Sequence, residues 1–205
     1  MTQPRPASKY DELADAYDTR WALYIAKSIA HTLTCVTPRD GDVLLDIGCG
    51  TGHLLRAAQA HWPSLRCYGV DPSREMLLAG PAPATQVIHA TGECLPIRDA
   101  SIDWVVSTSA FHYLTDPRAA LREWRRVLRP GGTLVITDWC RDYATIRAFS
   151  AWERISGSIQ IRVYTAAELR ALLVECTFEQ VNIDRYRINW FWGLVTAAAR
   201  RPAGV

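Results

Sequence analysis

The chain has 205 residues, 49% of them hydrophobic and 21% charged, the balance of one globular domain that buries a core. Its formal net charge of +2 is too small to argue for nucleic acid or an anionic membrane as partner. Six scattered cysteines (Cys35, Cys49, Cys67, Cys94, Cys140, Cys176) include no Cys-x-x-Cys pair, which argues against a zinc ribbon and a disulfide framework and for reduced, structural thiols.

Residues 1–9, "MTQPRPASK", lack periodicity and are expected to be a mobile tail. There is no signal-peptide core in them and no apolar run of transmembrane length anywhere, so a cytoplasmic protein without stable membrane insertion is expected. The stretch 10–33 has helical spacing of apolar groups. The pattern then alternates: strand 42–48, helix 53–61, strand 66–71, short helix 73–80, strand 85–91 and strand 102–109. A helix follows over 116–128 with proline at its first position, its basic residues read as a solvated face. "PGG" (130–132) stops that helix and turns the chain into strand 133–139. The helix 165–176 opens on a capping box, Thr165 with Glu168. Two β-rich runs, 178–188 and 189–200, close the chain without a helix between them. The order predicts an α/β fold: a Rossmann-like, seven-stranded, mostly parallel sheet with helices on both faces and an antiparallel C-terminal hairpin.

The chemistry concentrates in "VLLDIGCGTGHLL" (43–55). A dinucleotide site wants G-x-G-x-x-G, the third glycine letting helix pack on strand. Here Gly48, Gly50 and Gly52 alternate and His53 holds the third-glycine position. No Gly-Lys-Ser/Thr follows, so this is no P-loop either. Asp46 precedes the turn and would face a pyrophosphate badly, but it suits an ammonium group. Asp71, about twenty residues on, stands where an acid binds both hydroxyls of a ribose, and Asp-Pro-Ser is also a good helix start. Ribose plus an amino acid, without phosphates, describes S-adenosyl-L-methionine (SAM).

The successive stretches "VLLDIGCGTG", "YGVDPSREML", "ECLPIRDASIDWVVS" and "LREWRRVLRPGGTLVITDW" resemble the motifs of class I SAM-dependent methyltransferases, in the group that includes ubiquinone- and menaquinone-type C-methyltransferases and small-molecule enzymes. The resemblance spans roughly residues 10–200 in the right order. It implies that Asp46, Gly48, Cys49, Gly50 and Gly52 surround the methionine part of SAM, that Asp71 binds the ribose, and that Pro72 and Met76 lie against the adenine. In Thr91-Gly92-Glu93 a threonine replaces the aspartate that meets the adenine amino group in the family, which leaves backbone contacts from Gly92 and Glu93. Ser109, Ala110 and Phe111 are implied to line the space around the transferring methyl. The N-terminal "YDELADAYDTRW" resembles the family's lid, placed here at 10–34, with Tyr10 and Tyr17 positioned for cation–π contact with the sulfonium.

Methyl transfer from a sulfonium to a small-molecule acceptor yields S-adenosyl-L-homocysteine and needs alignment and exclusion of water. His112, past the fourth strand, is the candidate general base, with a packing role as the alternative; His53 is read as structural. The acceptor wall is expected from the lid, "AFHYL" and 139–157, whose Trp139, Tyr143, Phe149 and Trp152 suit an apolar or aromatic acceptor. Arg141, Arg147 and Arg162 are available to an anionic group. The residues leave open a lipid or quinone acceptor, a SAM-binding protein without transferase activity, and, disfavoured by His53, a dinucleotide-dependent oxidoreductase. No metal site is expected, and a monomer or homodimer is.

Overall fold

The computed structural model describes residues 21–80, 86–156 and 161–204. The 1–9 tail and the whole 10–20 part of the lid, and with it Tyr10 and Tyr17, lie outside the described residues. The described part of the lid is helical over 21–33 (α1).

Seven strands form one sheet: β1 (Val43–Ile47), β2 (Arg66–Asp71), β3 (Gln86–His89), β4 (Ile102–Thr108), β5 (Leu128–Trp139), β6 (Glu179–Arg187) and β7 (Gly193–Arg200). Their order is β3-β2-β1-β4-β5-β7-β6. The first five run parallel, and β7 pairs antiparallel with both β5 and β6. The alternating helices are α2 (His53–His61), α3 (Arg74–Ala79), α4 (Pro117–Val127), α5 (Ala144–Ser156) and α6 (Ala166–Glu175), with a 3-10 turn at Phe111–Tyr113.

β1 is buried along its whole length, as a central parallel strand covered on both faces must be. One face packs Leu45, Ile47, Val105, Leu121, Trp124 and Leu134 together; the other packs Leu44, Leu54, Leu55, Val106 and Val135. Helix α4 starts where the Asp116 carboxylate accepts the Ala119 N–H at 3.0 Å, with Pro117 in the first turn. The capping box of α6 is present on both sides, Thr165 to Glu168 and back.

Two expectations are corrected. β5 begins at Leu128 and runs through "PGG" instead of starting at 133, because Gly132 Cβ would meet the Asp103 carbonyl at 3.1 Å and only glycine lets the strands approach. The closing strand begins at Gly193, not 189: the Asn189 side chain accepts the N–H groups of Phe191 and Trp192 at 2.9 and 2.8 Å and so builds the hairpin bend. The basic residues of α4 stay solvent-accessible, where Arg126 pairs with Glu123 and Asp99, and Arg129, just past the helix in β5, pairs with Asp103.

Candidate functional site

The glycine turn sits at the carboxyl end of β1, beside the point where strand order reverses between β1 and β4, the place where open α/β sheets bind ligands. Gly48, Gly50 and Gly52 have φ of 75°, 52° and 78°, values that side chains adopt only with strain. The Gly48 and Cys49 N–H groups donate to the Val70 carbonyl at 2.8 and 3.1 Å, tying the turn to β2. Asp71, closing β2, accepts the Gly50 N–H on Oδ2 and the Ser73 N–H on Oδ1, both at 2.8 Å. The next loop closes on the turn from the other side: a Cβ on Gly48 would lie 2.3 Å from the Ala110 Cβ.

These elements border a cavity of about 540 Å³. Asp46, Gly48, Cys49, Gly50, Asp71, Pro72, Met76, Thr91, Gly92, Glu93 and Ser109 all line it. Tyr24, Ile25, Ser28 and Ile29 of α1 close it on one side, and His89, Tyr113 and Leu114 add to the wall. Sequence reading passed over Tyr24 and His89; the helical spacing of 21, 24, 25 and 28 was the available signal for the first. His89 ends β3, where its Nε2 lies 2.9 Å from the Pro72 carbonyl.

Three candidate residues, Gly52, Phe111 and His112, are not among those that line the cavity. Gly52 caps α2 in a left-handed conformation, so its part is to turn the chain. Phe111 was expected beside the methyl, but its side chain turns inward, 2% exposed, with its ring 5.7 Å from Trp124 and 5.6 Å from Tyr164. The left-handed Ser109 (φ 58°) ahead of it redirects the chain into the 3-10 turn. His112 is 2% exposed, and its Nδ1 lies 2.6 Å from Asp138 Oδ1.

The electrostatics of the cavity are dominated by carboxylates. Burial first, and then the charge of Asp71, push the Asp46 carboxyl up to about 8. Its Oδ1 is buried and has no hydrogen-bond partner among the described residues. Burial likewise pushes the Cys49 thiol far up and holds Cys67 at about 11, with Asp46 adding to both, so neither is a nucleophile. Among the described residues no group of three or more His, Cys, Asp or Glu could hold a metal ion, and no helix is long and apolar enough to cross a membrane.

Behind the wall lies an aromatic cluster at the ends of β5 and the β6–β7 hairpin. Trp139 stacks on His112 at 4.1 Å and on Trp192 at 5.2 Å; Phe149 of α5 and Trp21 of α1 meet Trp192 edge-on. Tyr143 instead covers Gly193, where a Cβ would meet its ring at 2.1 Å, and Trp152 is mostly exposed. Of the arginines proposed for an anionic group, Arg141 pairs with Glu168 and the Arg162 guanidinium lies 5.4 Å from the Tyr164 ring centre.

Residues 45–136 match the family described as "Methyltransferase domain". The chain carries a methyltransferase domain of the class I fold. It is similar to a malonyl-[acyl-carrier protein] O-methyltransferase of Hahella chejuensis, 31% identical over 180 residues that make up 80% of this chain and 62% of that protein. An uncharacterized 37.1 kDa protein from a Streptomyces fradiae transposon is 36% identical over 162 residues, 74% of this chain and 45% of that one. The chain thus spans about half to three-fifths of the length of these relatives. Among solved structures, one from the complex between the Haloferax volcanii Trm112 methyltransferase activator and a putative methyltransferase shares the fold, with a TM-score of 0.84 at 22% identity over 97% of this chain and 98% of that one.

Proposed function

We propose that the chain transfers a methyl group from SAM to a small-molecule acceptor with an apolar or aromatic body. The observation that carries this reading is the buried Asp46 carboxyl, with an unpartnered oxygen in a cavity ringed by glycine backbone. A carboxyl held near 8 is short of a cation, and the ammonium of SAM supplies one. The sulfonium, when bound, offers an already activated methyl. Asp46 and the turn Gly48–Gly50 hold the amino-acid end. Asp71 holds the ribose edge, and Pro72, Met76 and the backbone of Thr91-Gly92-Glu93 lie along the base. A pyrophosphate at the glycine turn would face the acidic Asp46 instead, which disfavours the dinucleotide reading.

Ser109 and Ala110 border the side of the cavity from which the acceptor would come, and the Trp139–Trp192–Phe149 cluster gives its approach an aromatic wall. The test has two steps on one preparation. Calorimetry should show SAM binding, and labelled methyl from SAM should then enter the polar small-molecule fraction of a host extract. Binding without label in any fraction would make the protein a SAM binder and sink the transferase reading; label in the lipid fraction would move the acceptor to a lipid or quinone.

A further inference from the structure

One buried group next to the cavity, the candidate base His112, has a partner on only one of its ring nitrogens. His112 follows the carboxyl end of β4, and its neighbours Ala110 and Tyr113 line the cavity. Its backbone N–H donates to Asp138 Oδ2 at 2.9 Å, its Nδ1 lies 2.6 Å from Asp138 Oδ1, and the Trp139 N–H donates to that same oxygen at 2.6 Å. These contacts fix the carboxylate at the end of β5. A carboxylate only accepts, so Nδ1 carries a hydrogen, and in the neutral tautomer that this sets the lone pair is on Nε2. That Nε2 is buried and has no hydrogen-bond partner among the described residues. The ring cannot turn to find one: Trp139 stacks on its face at 4.1 Å and Tyr113 crowds it at 3.9 Å. A buried lone pair left unmet costs free energy, and natural proteins keep few of them.

We propose that the partner missing from Nε2 is the proton-bearing group of the acceptor, which is therefore a hydroxyl or an amine and not a thiolate, thioether or carboxylate. This rests on the methyltransferase reading above. The acceptor X–H bond breaks and its proton bonds to Nε2. The electron pair stays on X and forms the bond to the methyl that the cofactor gives up. The resulting imidazolium is balanced by the Asp138 carboxylate and loses its proton to solvent after product leaves. Asp138 is a positioning residue, acting through His112. Nε2 is enclosed in this structure, so the acceptor reaches it by displacing a ring, and Tyr113 is the ring that borders both His112 and the cavity.

The test uses the full chain, methyl-labelled SAM and four acceptors of one body: phenylpropanol, phenylpropylamine, phenylpropionate and phenylpropanethiol. Label should enter the alcohol or the amine. Asp138→Asn presents an amide donor to Nδ1 and moves the ring hydrogen to Nε2. It should slow that transfer on the order of 10²-fold, the scale of general-base catalysis, and shift the acid limb of the pH–rate profile, while SAM affinity stays within about twofold because Asp138 is not among the cavity-lining residues. Other titratable groups near the ring (Tyr113, Tyr164 and Arg162, whose N–H bonds the His112 carbonyl at 2.9 Å) are unchanged in that variant. Long-range proton–nitrogen NMR of the unaltered protein, which needs no variant to fold, should show His112 hydrogen on Nδ1 and a bare Nε2. Hydrogen on Nε2 in the unaltered protein, label only in the thiol or the carboxylate, or unchanged turnover in Asp138→Asn would each overturn the proposal. Failure of the unaltered protein to bind SAM would overturn the methyltransferase reading instead.

Discussion

Binding of SAM at pH 7 should release close to one proton, and Asp46 is its source. With the carboxyl at about 8, about nine in ten molecules hold it protonated at pH 7, from the titration relation alone. An ammonium placed against the orphan Oδ1 favours the charged form and returns the group to the ordinary carboxylate range, so the proton leaves as the ligand enters. Linkage then sets the size of the effect. One proton released makes the dissociation constant fall about tenfold per pH unit, about 1.4 kcal/mol, from pH 6 to 7. The trend ends near pH 7.7, roughly where an α-amino group loses its own proton. The assay is calorimetry at pH 7 in two buffers of different ionisation enthalpy, whose apparent binding heats differ in proportion to the protons released. Asp46→Asn should bind more weakly, with no buffer dependence and no pH slope. The ligand-free protein carries the opposite sign: a carboxyl raised in the folded state makes folding less favourable as pH rises from about 4 to about 8, so SAM should stabilise the protein more at pH 7.5 than at pH 6. A buffer-independent heat with a flat dissociation constant would refute the ammonium assignment.

Gly48→Ala should destabilise the fold by roughly 2–5 kcal/mol, from a left-handed alanine plus a forced overlap; chemical denaturation measures it, and the cause is the 2.3 Å approach to Ala110. Asp71→Ala should weaken SAM binding more than tenfold by calorimetry. It should also lower the melting temperature, because Asp71 accepts two backbone N–H groups of the turns it joins; an unchanged melting temperature would separate the two roles. Tyr24→Phe should weaken SAM binding measurably and cost about 1–3 kcal/mol in denaturation, since its hydroxyl accepts the Trp139 indole N–H at 2.9 Å and bonds Ser109 Oγ at 2.7 Å.

The sheet was legible because each element carried a local signal. The short run "VLLDI", apolar but for Asp46 and followed at once by a glycine turn, read as a strand buried on both faces, the Asp116-Pro117 start and the Thr165–Glu168 box named two helix ends, and the missing helix before β7 named the hairpin. Helix α5 was not read, although Ile146, Phe149, Trp152 and Ile155 fall at helical spacing. Its aromatic content drew attention to acceptor binding, and its outer residues Trp152 and Ile155 stay exposed, which blurs the one-sided pattern that marks a helix. The glycine turn with Asp46 and Asp71 was legible because it is nearly contiguous along two adjacent strands. The pairing of His112 with Asp138 was not, since it depends on β4 lying beside β5 in a register that sets Thr108 against Thr137 and on a chain reversal at Ser109. Phe111 failed for the same reason: a residue's distance past a strand end says nothing of its direction once the next residues coil into a 3-10 turn.

The helix α1 and the aromatic wall act as one piece, and the contacts show why. Tyr24 lines the cavity with its ring while its hydroxyl joins Ser109, the strained residue of the post-β4 turn, to Trp139 at the end of β5. Its ring also meets Trp192 at 5.4 Å, and Trp21 meets Trp192 at 5.8 Å. Lys27, further along α1, donates to the Ile188 carbonyl at the hairpin bend at 3.3 Å. A ligand pressing on Tyr24 from the cavity is therefore felt at Ser109, at Trp139 and, through the stacked rings, at His112. The left-handed Ser109 costs about 1–3 kcal/mol, and two bonds hold it: its N–H donates to the Thr137 carbonyl at 2.8 Å and its hydroxyl meets Tyr24. Coupling by binding free energy is reciprocal: if filling the cavity firms this network, then an acceptor that orders the aromatic wall must tighten the cofactor by the same factor. On the function proposed above, the residues that shape one subsite are also the wall of the other.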